Sequence, residues 1–292
     1  MRTLQPVWIA IGFIAIFALS GAAAFIFLRS NSVPVPAKQV ATTTVPTVTQ
    51  RVLGKSVEGR NIDAYTYGKG STHLVFVGGI HGGYEWNSVV LAYQVLDYLD
   101  AHAATIPKNL RVTVIPNLNP DGVFKIIGKE GRFGVNDVST IDSTPGRFNA
   151  NDVDLNRNFD CNWKPEGTWR NKTVSAGTEA FSEPEAKALR DFALSEKPDA
   201  FVFWHSQANA VYASQCNDGI LPKTLEIMNA YAQASKYPAV KTFDAYVVNG
   251  ASEDWLASIG IPAITVELQT HETIEWERNI AGVQALLKYF TK

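Results

Sequence analysis

An apolar run at residues 74–77 delivers the chain into Gly78-Gly79-Ile80-His81-Gly82-Gly83-Tyr84-Glu85-Trp86, a glycine-rich turn bearing one imidazole and one carboxylate. A second apolar run, 200–204, ends at His205, and a third, 261–268, carries Glu267 near its end. Two imidazole nitrogens and a carboxylate oxygen are the donor set of a His2Glu catalytic zinc, which keeps its fourth position for water. His81, Glu85 and His205 are therefore the candidate ligands. Glu267 is the candidate general base. A carboxylate in so apolar a run is costly to bury unless paired or put to use, and partial desolvation raises its pKa toward a useful range. Each residue alone also has a plain structural reading: a turn histidine, a satisfied core histidine, a carboxylate paired to arginine. Of the other histidines, His102 follows a helical segment and His73 precedes a strand, which disfavours both; His271, four residues after Glu267, is held in reserve.

Groups so far apart in the chain meet only if a frame brings them together. Glu85 opens an apolar-periodic segment (Val89, Val90, Tyr93, Leu96, Leu99) that reads as a helix. Residues 111–115 alternate and are β-branched, predicting a strand, and 116–122 form a turn cluster rich in Pro, Asn and Gly. Residues 128–151 lack periodicity and read as a long loop of the kind that is commonly functional. Ser182 reads as an N-cap with Glu185 completing a capping box and Pro184 in the first turn. The runs 200–204 and 264–268 fit strands buried on both faces, and 225–234, 250–259 and 273–290 read as helices. This alternation predicts an α/β fold, one domain over 51–292 with a mostly parallel mixed sheet flanked by helices.

Ahead of that domain, residues 7–28 form an apolar run of 22 residues without charge, long enough to span a bilayer core of roughly 30 Å. Residues 1–29 are read as an N-terminal transmembrane anchor, in preference to a cleaved signal because the run continues past the small residues 20–24. Residues 30–50, rich in Pro, Thr and Ser, read as an extended tether. The expected arrangement puts the amino terminus inside and the domain outside the cytoplasm, held to the membrane by the first helix. A net charge of −2 and the lack of any Lys/Arg run give no reason to expect nucleic acid as a partner. The two cysteines, Cys161 and Cys216, either pair outside the cytoplasm or stand as small apolar residues. Their positions just after segments assigned to the site favour pairing.

The segment Asp152-Val153-Asp154-Leu155-Asn156-Arg157-Asn158-Phe159 adds a specific pattern. With His81 and Glu85 before it, His205 after it and Glu267 last, the chain over about residues 51–292 resembles the M14 family of zinc metallocarboxypeptidases. The resemblance implies that Asn156 and Arg157 grip a substrate's terminal carboxylate, a role suited to a planar guanidinium with a directional amide donor. It implies that Arg147, nine residues before Asn156, polarises the scissile carbonyl. Tyr246 matches a tyrosine that covers the substrate's terminal residue, and Glu253 a position lining the pocket for the terminal side chain, where an acid would favour Lys, Arg or a diamino acid. One zinc ion per chain and a peptide with a free C-terminal carboxylate are the implied cofactor and partner. One departure is plain: the family's His-Xaa-Xaa-Glu is here lengthened by one residue, His81 to Glu85. Two alternatives stand beside the carboxypeptidase: a cell-wall peptide hydrolase or N-acyl amino acid deacylase on the same scaffold, and a non-catalytic surface protein that binds through an old peptidase groove.

Overall fold

The computed structural model describes residues 48–139 and 142–291. The expected anchor, 1–29, and most of the expected tether, 30–50, lie outside the described residues; among those described, no helix is long and apolar enough to cross a membrane.

Eight strands form one sheet in the order β1-β2-β4-β3-β7-β10-β8-β9, where β1 is Thr49–Lys55, β2 Asn61–Gly68, β3 Thr72–Val77, β4 Leu110–Ile115, β7 Ala200–Ser206, β8 Ala210–Ala213, β9 Ala239–Val240 and β10 Ala263–Leu268. The centre, β4-β3-β7-β10, is wholly parallel, while β2 joins β4, β1 joins β2, and β8 joins β10 in antiparallel fashion. Parallel strands covered on both faces must be apolar at every position. That is why residues 74–77 and 200–204 show no alternation. One face packs Phe76 and Trp204, whose rings stack at 5.4 Å, against α1 (Trp86–Ala101), α4 (Pro222–Ser235) and α6 (Trp276–Tyr289). The other packs Val75, Phe201 and Phe203 against α3 (Pro184–Glu196) and α5 (Ser252–Ser258).

Two expectations need correction, and one element adds to them. The first strand begins at Thr49, close to the expected start of the domain, and pairs along β2 from that point. Residues 116–122 are not only a turn: α2, Pro120–Ile127, starts inside them, with the Asn119 side chain accepting from Gly122 N and Pro120 at the first position. The N-cap of α3 is Glu183, not Ser182, and no capping box forms. Ser182 instead donates to Glu183 Oε1 at 2.7 Å, and Glu185 accepts from Val57 N and Asn149 Nδ2, tertiary partners that outcompete the local cap. A separate hairpin, β5 (Glu166–Trp169) with β6 (Lys172–Ser175), was not foreseen.

Candidate metal centre and substrate cleft

β3 ends at Val77 and hands the chain to Gly78 and Gly79, and a 3-10 turn over Gly82–Glu85 precedes α1. The carbonyl of His81 accepts from Tyr84 N (3.1 Å) and Glu85 N (3.4 Å), so the lengthened motif closes on itself and Glu85 folds back over His81. Gly82 sits at φ +46°, and a Cβ there would lie 2.6 Å from Gly146 O; a Cβ on Gly83 would lie 2.7 Å from Gly122 O. Only glycine fits such an approach. His205 arrives from the neighbouring end of β7. Phe201, Phe203 and His205 share one face of the strand by its period of two, and in the parallel register Glu267 of β10 lies directly beside His205.

The three expected ligands meet. His81 Nδ1 lies 2.8 Å from Glu85 Oε1, His205 Nδ1 lies 3.2 Å from Glu85 Oε2, and the two Nδ1 atoms are 3.2 Å apart. All three residues are buried. Two ring nitrogens aimed at each other and at a carboxylate call for a positive charge between them. Bonds of about 2.0–2.1 Å in a tetrahedron set ligand atoms roughly 3.3 Å apart, so the donor set fits a zinc ion. Burial disfavours the His205 cation, yet Glu85 raises its pKa to about 9. Burial likewise pushes the Glu85 carboxyl up, and His81 and His205 overcome it and hold it well below the usual range.

Asp154, a residue of the segment above for which the sequence suggested no role, joins this centre to the next. Its Oδ2 accepts from Arg147 Nε (2.9 Å) and faces Nη2 (2.8 Å), while Oδ1 lies 3.3 Å from His81 Nε2. Against the cost of burial, Arg147, Arg157 and His81 hold its carboxyl well below the usual range. A carboxylate behind a ligating histidine fixes the ring and strengthens the ligand. Arg147 has Nη1 3.6 Å from Glu85 Oε1 and its guanidinium 4.5 Å from the Trp169 ring centre, so it is clamped beside the metal triad. Asn156 donates to Glu253 Oε1 and accepts from Ser252 N and Oγ. Arg157 gives Nε and Nη2 to Thr168 O and Nη1 to Asn156 O. It is 2 % exposed, yet no carboxylate among the described residues stands within ion-pair range of it.

This constellation decides the family. The chain belongs to the zinc carboxypeptidases, whose pattern matches residues 37–282. Carboxypeptidase B of Rattus norvegicus is 28% identical over 259 residues, which cover 80% of this chain and 60% of that protein. Gamma-D-glutamyl-L-diamino acid endopeptidase 1 of Lysinibacillus sphaericus is 25% identical over 240 residues, 74% of this chain and 59% of that one. The crystal structure of thrombin activatable fibrinolysis inhibitor superposes with a TM-score of 0.69 at 19% identity, covering 84% of this chain and 70% of that one, which shows the fold. The chain spans about 37% to 60% of the length of the carboxypeptidases O and B it matches.

The remaining expected residues of this family member surround one cavity of about 440 Å³, lined by His81, Arg147, Asn156, Arg157, His205, Tyr246, Glu253 and Glu267. Burial, together with Glu85 and Glu253 and against His205, pushes the Glu267 carboxyl up to about 7, and its Oε2 has no hydrogen-bond partner among the described residues. Tyr246 is half-buried and packs edge-on against Phe243 at 4.9 Å. Glu253 faces the cavity but is also engaged by Asn156, Ser252 and Thr265. Beside it Asp254, which also lines the cavity, is pushed up to about 7 by burial and by Glu253. The reserve residue His271 does not join the ligands; its Nδ1 bonds Ser206 Oγ at 2.7 Å. His73 is a buried core residue whose Nε2 bonds Thr113 Oγ1 at 2.8 Å. Cys161 and Cys216 form a disulfide, and it ties the segment after Arg157 to the cavity wall at Gln215, whose N–H donates to Asp254.

Proposed function

We propose that the chain is a zinc-dependent metallocarboxypeptidase that removes the last residue of a peptide, favours a Lys, Arg or diamino terminus, and acts outside the cytoplasm. The observation that carries this reading is Arg157: a buried guanidinium beside the metal triad, turned into a cavity and lacking a carboxylate of its own among the described residues. A buried charge without a counter-ion is costly. A substrate carboxylate supplies one, and a free chain end is where a peptide always carries it.

A zinc ion held by His81, Glu85 and His205 would polarise the scissile carbonyl and lower the pKa of water to about 7. Glu267, its carboxyl raised to about 7, takes the proton from the attacking water and passes it to the leaving amine. Arg147 stabilises the oxyanion from a geometry fixed in advance by Asp154. Asn156, Arg157 and Tyr246 hold the terminal carboxylate. Glu253 and Asp254 give the side-chain end of the cavity two acids, which supports a cationic terminal residue. The Cys161–Cys216 bond supports an oxidising compartment, and the apolar run at 7–28 supports attachment to a membrane.

A second reading, trimming of cell-wall peptides that end in a diamino acid, is favoured by the same acid pair and by the similarity to a gamma-D-glutamyl-L-diamino acid endopeptidase. The test compares peptides with free and amidated C-termini. The zinc-loaded chain is expected to cleave the free form and spare the amide; equal rates on both would remove the carboxylate clamp, and no turnover on either would leave a binding protein.

A further inference from the structure

A second cavity, about 500 Å³, adjoins the metal triad and shares His81, Arg147, Phe243, Tyr246 and Glu267 with the first. Asn156 and Arg157 line only the first. A substrate whose chain end is held there must lead its preceding residue into the second. Part of that wall is the tip of the β5–β6 hairpin, Arg170 and Asn171. The hairpin is fastened where it matters. Thr168 O accepts from the Arg157 guanidinium, Gly167 lies so close that a Cβ would come within 2.8 Å of Arg157 Cδ, and Trp169 is buried under Arg147 and against Tyr84 at 5.2 Å. Arg170 is therefore presented from an anchored base. Its Nη2 donates to Tyr84 Oη at 3.1 Å, and its guanidinium lies 5.6 Å from the Trp169 ring centre. It is exposed, and among the described residues it forms no ion pair with a carboxylate. Lys172 Nζ stands 5.7 Å from the same ring. Apart from Glu85 and Glu267, already committed to the metal centre and the proton, this cavity is lined by no acid.

We infer that Arg170, steadied by Tyr84, is a specificity-determining residue that pairs with an anionic group on the residue preceding the scissile bond. The inference rests on the carboxypeptidase reading above and adds the acyl side to it: a substrate anionic before the cleaved bond and cationic after it. The anion has two chemical sources, the side chain of an α-linked glutamate or aspartate, and the free α-carboxylate of a glutamate joined through its γ-carboxyl.

The experiment measures kcat/KM of the full zinc-loaded chain on four peptides with one common C-terminal lysine, preceded by α-linked Glu, α-linked Gln, α-linked Lys or γ-linked Glu. Wild type is expected to favour an acidic form over Gln by about fivefold, corresponding to about 1 kcal/mol, the upper range for a solvent-accessible ion pair. The ratio should shrink at high salt, fall to about one in Arg170→Gln and survive in Arg170→Lys. Because the readout is a ratio within each variant, a general loss of activity does not imitate it. The better of the two glutamates identifies the source of the anion. Turnover of all four peptides with equal Glu and Gln rates would overturn the inference and leave the carboxypeptidase reading intact. No turnover of any would overturn both.

Discussion

Replacing Asp154 by Asn tests whether one carboxylate aligns both the metal ligand and the oxyanion arginine. The side chain is 0 % exposed, holds Arg147 through contacts of 2.8 and 2.9 Å, stands 3.3 Å from His81 Nε2 and accepts from Asn156 N at 3.2 Å. Asparagine keeps the volume and removes the charge. Breaking a buried pair costs about 3–5 kcal/mol, and because Glu85 remains 3.6 Å from Arg147 Nη1, the lower end applies. Losing the partner of a ligating histidine weakens metal binding about 10–100-fold. Letting Arg147 drift is comparable to losing an oxyanion donor, roughly 10²–10³ in turnover. The measurements are chemical denaturation of the metal-free chain, zinc affinity by chelator competition, and kcat/KM at saturating zinc. A cycle with Arg147→Met should give a coupling of at least about 1 kcal/mol. Wild-type zinc affinity together with wild-type turnover in Asp154→Asn would refute the reasoning.

In the metal-free chain the His205 pKa is raised from 6.5 to about 9 by Glu85 in spite of burial. A raised pKa contributes stability that is present below the unfolded value and lost as pH rises through the folded one, so Tm of the chelated chain should fall between about pH 6.5 and 9. Zinc must displace that proton, and its affinity should tighten about tenfold per pH unit over the same range; a flat profile in both would count against the triad. Glu253→Gln should lower kcat/KM on a Lys-terminated peptide at least about tenfold more than on a Leu-terminated one, the worth of a hydrogen bond to a charged group, and an equal loss on both would show that Glu253 only supports Asn156. Converting Cys161 and Cys216 to Ser releases a constraint between residues 55 apart, which the chain-entropy model values at about 4 kcal/mol, read as a shift in denaturant midpoint.

The buried parallel strands and the site residues at their ends were legible because burial on both faces leaves an unbroken apolar run, and a histidine or glutamate that ends one stands out. His205 and Glu267 were found that way, and they lie side by side in the register. Edge strands such as β1 and β9 escaped, since β1 buries none of its seven residues and β9 is two residues long, which leaves neither a pattern to show. α2 escaped because Asn119, Pro120 and Gly122 are turn formers that here serve as cap, first position and close-packed interior. The Ser182 cap failed for the opposite reason, a good local signal overridden by Val57 and Asn149 from elsewhere in the chain. Asp154 carried no signal of its own; only the arrival of His81 and Arg147 on either side of it gives it a role. Arg170 was silent too, an exposed arginine in a short hairpin that gains meaning from the cavity beside it.

Gly82 and Gly83 meet Gly122 and Gly146 without an intervening side chain: a Cβ on Gly122 would come within 2.4 Å of Gly146 O, and one on Gly82 within 2.6 Å of the same atom. The ligand turn, the first turn of α2 and the residue before Arg147 thus rest backbone against backbone. No side chain stands between these backbones to alter their spacing, and the arginine's own rotamer is held by Asp154. The separation of the backbones that carry the ligand turn and Arg147 is therefore built into the main chain before any substrate enters.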